Sequence, residues 1–142
     1  MSYGGDVTPA QCHDFLKSSK ESVLIDVRTQ AEWSFVGLPN LENTPNQPVL
    51  QQWQQYPQMS VDPEFVAHLT RSLEDIGLGV DAKLYFLCRS GGRSLAAAKA
   101  MTAAGYEHTY NITGGFEGDP DENGHRGATG GWEAAGLPWR QT

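Results

Sequence analysis

Cysteine is scarce in this chain: Cys12 and Cys88 are the only two among 142 residues. A single pair, with neither a C-x-x-C spacing nor zinc-ligand spacing, excludes a disulfide framework and a cysteine-rich metal module. Basic residues are also few, with Lys and Arg numbering 10 against 17 Asp and Glu, for a formal net charge of −7. That deficit argues against the broad basic face that nucleic acid or an anionic membrane requires, so neither is expected as a partner. No apolar run approaches the roughly 20 residues of a membrane span. The N-terminus, MSYGGDVTPAQCHDF, has no basic or apolar leader region. A reducing cytoplasm is the expected location. Internal repeats and linkers are missing too, so one domain over residues 1–142 is expected. Hydrophobic residues at 39% and charged ones at 19% fit a folded core and exclude a disordered tail.

In an acidic chain, an anion site must gather its own arginines. Arg28, Arg89, Arg93, Arg126 and Arg140 are the candidates.

Along the chain, Thr8 followed by Pro9 reads as an N-cap with proline at N1, opening a helix through about Lys17. Ser22 to Val27 (SVLIDV) is an apolar, β-branched run expected as a buried strand. Thr29 to Glu32 has capping-box spacing and predicts a short helix ending near Gly37. Residues 39–61 are rich in Pro, Asn and Gln and read as connection, with a strand over Val49 to Trp53. Asp62-Pro63 opens another helix, with Phe65, Val66, Leu69 and Leu73 on one face and Gly77 or Gly79 stopping it. Lys83 to Leu87 (KLYFL) is the clearest buried strand. An alanine-rich helix follows over Ser94 to Ala104, and His108 to Ile112 forms a further strand. Strands alternating with helices predict an α/β sandwich, a mainly parallel sheet with helices on both faces. Ligands in such sheets bind beyond the carboxyl ends of the strands.

Cys88 stands at that edge, in the run Leu87-Cys88-Arg89-Ser90-Gly91-Gly92-Arg93-Ser94. A loop leading from a strand into a helix N-terminus aims free N–H groups at one point, making an anion cradle. Gly91 and Gly92 permit the positive φ of a tight turn. The helix N-terminus and the two nearby guanidinium groups favour the reactive thiolate at Cys88. A buried cysteine at a strand end is ordinarily a small apolar filler. That reading leaves two glycines, two arginines and a helix start unexplained.

The loop resembles the active-site loop of the rhodanese superfamily, for which C-R-S-G-G-R-S is a common form. Leu24-Ile25-Asp26-Val27-Arg28, with Glu32-Trp33 after it, resembles the family's D-x-R-x-x-x-E-aromatic element. Tyr110 to Phe116 (YNITGGF) resembles its strand and GG-aromatic turn, and Trp132 to Pro138 (WEAAGLP) its C-terminal end. The resemblance implies a rhodanese-like fold with Cys88 as a nucleophile that bears a persulfide. It also implies an anionic sulfane donor such as thiosulfate, a thiol or cyanide acceptor, and no cofactor. Arg89, Ser90, Gly91, Gly92, Arg93 and Ser94 are then the substrate-binding residues, with Arg93 and Arg89 facing the donor's oxyanions. Asp26 and Arg28 become supporting residues, Asp26 bonding the backbone near the site and Arg28 pairing with Glu32.

Two alternatives accompany this reading. One is a carrier or interaction module that holds a persulfide without turnover. The other is a phosphatase or arsenate reductase of similar fold, which needs C-x5-R. Here Arg93 gives C-x4-R, and Ser94 occupies the longer position.

Other residues offer less. Cys12 reads as helix packing, with a resolving thiol as the sharper option. His13, His68, His108 and His125 have no ligand spacing, so no metal site is expected. Trp33, Phe35 and Trp53 read as aromatic core. The family's Gly-His after the aromatic is Gly37-Leu38 here, and residues 117–131 form an insertion. Asp119, Asp121, Asn123 and Gly124 mimic the start of a calcium loop, but Gly130 stands where the bidentate glutamate belongs. His125 and Arg126 bring a cationic pair to this loop, which is expected to overhang the site and help select donor or acceptor.

Overall fold

The computed structural model describes residues 3–55, 60–89, 91–127 and 130–141. The elements run β1 (Gly5–Val7), α1 (Pro9–Ser18), β2 (Ser22–Asp26), α2 (Gln30–Phe35), β3 (Leu38–Pro39), β4 (Val49–Leu50) and β5 (Gln54–Gln55). There follow β6 (Ser60–Val61), α3 (Phe65–Asp75), β7 (Lys83–Leu87), α4 (Gly92–Ala103), β8 (His108–Ile112), α5 (Gly131–Ala134) and β9 (Trp139–Arg140). Five strands form one parallel sheet in the order β1-β8-β7-β2-β4. β3 pairs with β9, and β5 with β6, as short antiparallel ribbons.

The period-two alternation of the central strands divides the core between two faces. Val23, Ile25, Leu84 and Phe86 pack with Phe65, Leu69 and Leu73 of α3 and Ala97, Ala98 and Met101 of α4. Leu24, Tyr85 and Leu87 face the other way, against Cys12 and Leu16 of α1 and Trp132 of α5. Helices therefore cover both faces of the sheet, the α/β architecture expected from the alternation of strands and helices.

Local chemistry explains the best-read elements. Thr8 and Gln11 form a full capping box at α1, and Thr29 and Glu32 form one at α2. Three expectations need correction. The strand read over Val49 to Trp53 stops at Leu50 in β4. Beyond it, Trp53 turns inward to an edge contact with Phe65, ring centroids 4.9 Å apart. The helix expected from Ser94 starts at Gly92, because Gly91 caps it in the left-handed region at φ 119°. Phe35 is no core residue, being 83% exposed at the end of α2. β1 escaped notice because Gly5-Asp6-Val7 has little strand propensity, and β8 supplies its pairing.

Among the described residues, no helix is long and apolar enough to cross a membrane.

Candidate active site

All five strands of the sheet are parallel, so their carboxyl ends share one edge. β2 delivers Asp26 there, β7 delivers Cys88, and β8 delivers the turn that holds Gly114 and Gly115. The Cys88 side chain is buried, the residue being 1% exposed. Its Sγ accepts the amide N–H of Gly91 at 3.0 Å and lies 3.2 Å from the Ser94 hydroxyl. Gly91 caps α4, so the sulfur sits at the positive end of a three-turn helix. Gly91 and Ser94 thus meet the Cys88 sulfur, whereas Gly92, expected to share the positive φ of the turn, simply begins α4 without it. Ser90 lies outside the described residues.

The loop is held from beneath by the segment after β8. Phe116 N–H donates to the Cys88 carbonyl at 2.8 Å, and Glu117 and Gly118 N–H both donate to the Arg89 carbonyl, at 3.0 and 3.2 Å. Gly115 has φ 62°, and a Cβ there would collide with the backbone of Cys88 and Arg89. Gly115→Ala is therefore expected to lower stability by about 2–4 kcal/mol, from steric displacement and left-handed strain. Reactivity of the Cys88 thiol towards an alkylating reagent should change beyond the loss of folded protein. Thermal melts paired with alkylation per folded molecule check this, and an Ala variant as stable as the parent would refute the close approach.

The charged residues pair differently from the expectation. Arg28 does not pair with Glu32. Its Nε and Nη2 donate to the Asp26 carboxylate, the shortest bond being 2.7 Å, with both side chains fully buried. Nη2 also donates to the Gly37 carbonyl at 2.7 Å, and the guanidinium lies over the Phe116 ring at 4.3 Å. Two residues apart at a buried strand end, Asp26 and Arg28 can satisfy each other without leaving the core. Asp26 also accepts the Arg28 backbone N–H at 3.1 Å.

Glu32 instead binds Arg93. Nη1 and Nη2 donate to its two carboxylate oxygens at 2.6 and 2.9 Å, in fork-to-fork geometry. The capping box at Thr29 fixes Glu32 at N3 of α2, from which it reaches across to α4. Arg93 in this arrangement is committed to a carboxylate. Arg89 is exposed.

Burial works against the Glu32 carboxylate, yet the Arg93 bonds and charge outweigh it and hold Glu32 below its ordinary 4.5. The sign for stability follows. A carboxyl depressed in the folded state stabilises above its unfolded pKa, and this contribution fades as pH falls through the folded value. Wild type should therefore lose this contribution below about pH 4.5. Glu32→Gln should show a smaller acid-dependent loss. Denaturant unfolding at stepped pH reads the difference, and identical slopes would remove the pair from the account.

The insertion is tied down next to the loop. Arg126 Nη1 donates to the Gly118 carbonyl at 2.6 Å, and Gly127 N–H to the Glu117 carbonyl at 2.6 Å. The Asp121 carboxylate accepts the amides of Asn123 and His125, each at 2.9 Å, as an ordinary Asx turn does. His125 is exposed, while Arg126 is half-buried. Cys12 is wholly buried on α1, where desolvation pushes its thiol pKa up, so packing describes it.

Sequence reasoning passed over Asn111. It lies on β8, is nearly buried, and its Oδ1 accepts the Ser94 hydroxyl at 2.5 Å. An amide inside the strand HTYNI, one residue before a buried Ile, was the available signal.

Comparison with known proteins agrees with this geometry. A crystal structure of Rv0390 from Mycobacterium tuberculosis superposes with a TM-score of 0.87 at 43% identity, covering 99% of this chain and 100% of that one. The uncharacterized protein RC0915 of Rickettsia conorii is 34% identical over 135 residues, spanning 95% of this chain and 96% of its own. Thiosulfate sulfurtransferase 18 of Arabidopsis thaliana is 31% identical over 123 residues, 78% of this chain and 74% of that protein. Residues 8–119 match the rhodanese-like domain. With sheet order, Cys88 loop and sequence in agreement over most of its length, the chain belongs to the rhodanese-like domain family.

Proposed function

We propose that the protein is a sulfurtransferase that moves a sulfane sulfur through a persulfide on Cys88. The observation that supports this most is the position of Sγ. It is seated at the start of α4, accepts the Gly91 amide at 3.0 Å and lies 3.2 Å from a hydroxyl. Such a cradle sets an amide donor and the positive end of α4 against the sulfur that would carry the transferred atom.

In the first half-reaction the Cys88 thiolate attacks the outer sulfur of thiosulfate. A sulfur–sulfur bond forms, the donor's own sulfur–sulfur bond breaks, and sulfite leaves with the electron pair. In the second, a thiolate or cyanide attacks the outer sulfur of the persulfide, and Cys88 leaves as thiolate. No net redox partner is needed. Exposed Arg89 supports a role in meeting the donor's oxyanions, whereas Arg93 would do so through N–H groups not taken by Glu32. Arg126 is tied through Gly118 to the Arg89 backbone, which supports the insertion as one wall of the mouth. The proposed partners are a small anionic donor and a thiol acceptor, and the proposed location is the cytoplasm.

A carrier without turnover is the second reading, favoured only by the burial of Cys88, which limits access to its sulfur. The test is a two-substrate kinetic study with thiosulfate and either cyanide or small thiols. Parallel double-reciprocal lines and a burst of sulfite match the proposal. A single burst with no further turnover for any acceptor would favour the carrier, and no sulfite at all would reject both.

A further inference from the structure

Ser94 has one hydroxyl proton and three acceptors within reach. Asn111 Oδ1 lies at 2.5 Å, the Gly91 carbonyl at 3.1 Å and Cys88 Sγ at 3.2 Å. The shortest of these takes the proton, so Ser94 donates to Asn111 and turns a lone pair towards the sulfur. That orientation suits a thiol, which can donate, and not a thiolate, which needs donors. Asn111 is held in this sense from behind. Its Nδ2 donates to Asp6 Oδ1 at 3.4 Å, and Asp6 also accepts the Tyr3 hydroxyl at 3.0 Å. A carboxylate only accepts, so it keeps the amide nitrogen outward and the amide oxygen on Ser94. The result is a chain of donors leading away from Cys88 across α4, β8 and β1.

We propose that Asn111 is a positioning residue that draws the Ser94 proton away from Cys88 and thereby restrains the sulfur's reactivity, with Asp6 fixing the amide. This rests on the reading of Cys88 as the nucleophile. Rotation of the hydroxyl from Asn111 to Sγ would give the sulfur a second donor beside the Gly91 N–H. Gly91 O competes weakly, since it already accepts the Leu95 N–H at 3.2 Å. The charged groups nearest the loop include the Arg93–Glu32 and Arg28–Asp26 pairs, exposed Arg89, Glu117 and Glu133, and Arg126, with Lys83 and Lys99 farther along β7 and α4. None of them bonds Ser94.

Alkylation of Cys88 by iodoacetamide at neutral pH, followed on the Cys88 peptide by mass spectrometry, tests the proposal without any sulfur transfer. Asn111→Leu should accelerate it about three- to tenfold by freeing one hydrogen bond for the sulfur. In a Ser94→Ala background the same substitution should change nothing. Asp6→Asn, on an exposed position of the edge strand, should give a smaller acceleration with the same dependence on Ser94 and covers the case in which Asn111→Leu fails to fold. An acceleration that persists without Ser94 would be purely electrostatic and would overturn the proposal, as would unchanged or slower alkylation in both variants. If these gains appear but thiosulfate leaves no sulfur on Cys88, the proposed function fails and this inference stands.

Discussion

Asp26→Ala should lower stability by about 3–5 kcal/mol, the cost of leaving a buried charge without its partner. Arg28 has no solvent exposure, and its Nη1 has no hydrogen-bond partner among the described residues. With the carboxylate gone, the guanidinium keeps only the Gly37 carbonyl and the face of Phe116. Neither neutralises it. Activity should fall as well, because Val27 N–H bonds the Leu87 carbonyl immediately before Cys88. Chemical denaturation gives the stability change directly. Asp26→Ala combined with Arg28→Met should recover much of the loss, since both charges are then absent. If the single variant costs less than about 1 kcal/mol, or the double variant costs the sum of both, the pair is not what holds this strand end.

Cys88→Ser should reduce thiosulfate turnover by at least about a thousandfold while the fold survives. The activity loss follows from removing the thiol that the proposed function assigns to carry the transferred sulfur, a defect that positioning alone cannot repair. The fold survives because the new hydroxyl inherits the Gly91 N–H and the Ser94 contact, so the stability change should stay near 1 kcal/mol. Cys12→Ser should behave in the opposite way. It places a hydroxyl in the core beside Leu16 and Trp132, costing about 1–3 kcal/mol, yet it leaves activity per folded molecule intact. Kinetics and melts on the two variants together separate the nucleophile from the packing residue. Comparable turnover in Cys88→Ser and wild type would end the assignment.

Where the sequence was legible, local chemistry decided the structure. KLYFL became β7 with the bounds its apolar run implied, Thr8 caps α1 as read, and the spacing at Thr29 produced the capping box it suggested. The Cys88 loop was readable because strand end, glycines and helix start are consecutive in the chain. Pairings between elements were not. Glu32 was expected to pair with Arg28, four residues before it, because the resemblance to the family's D-x-R-x-x-x-E element implied that pairing. Its actual partner, Arg93, is 61 residues away and is chosen by how α2 and α4 pack. Asn111 was missed for the same reason, since its importance comes from a Ser94 hydroxyl 17 residues earlier. β1 is the extreme case. Gly5-Asp6-Val7 has no strand signature of its own and exists because β8 offers an open edge.

The central claim is that Cys88 accepts and holds one sulfur. Intact-protein mass spectrometry after brief exposure to thiosulfate, followed by removal of excess donor, measures it most directly. The account predicts a gain of one sulfur atom per chain, located to the Cys88 peptide, lost on adding cyanide, and absent in Cys88→Ser. No gain in the parent protein, or an equal gain in Cys88→Ser, would contradict it.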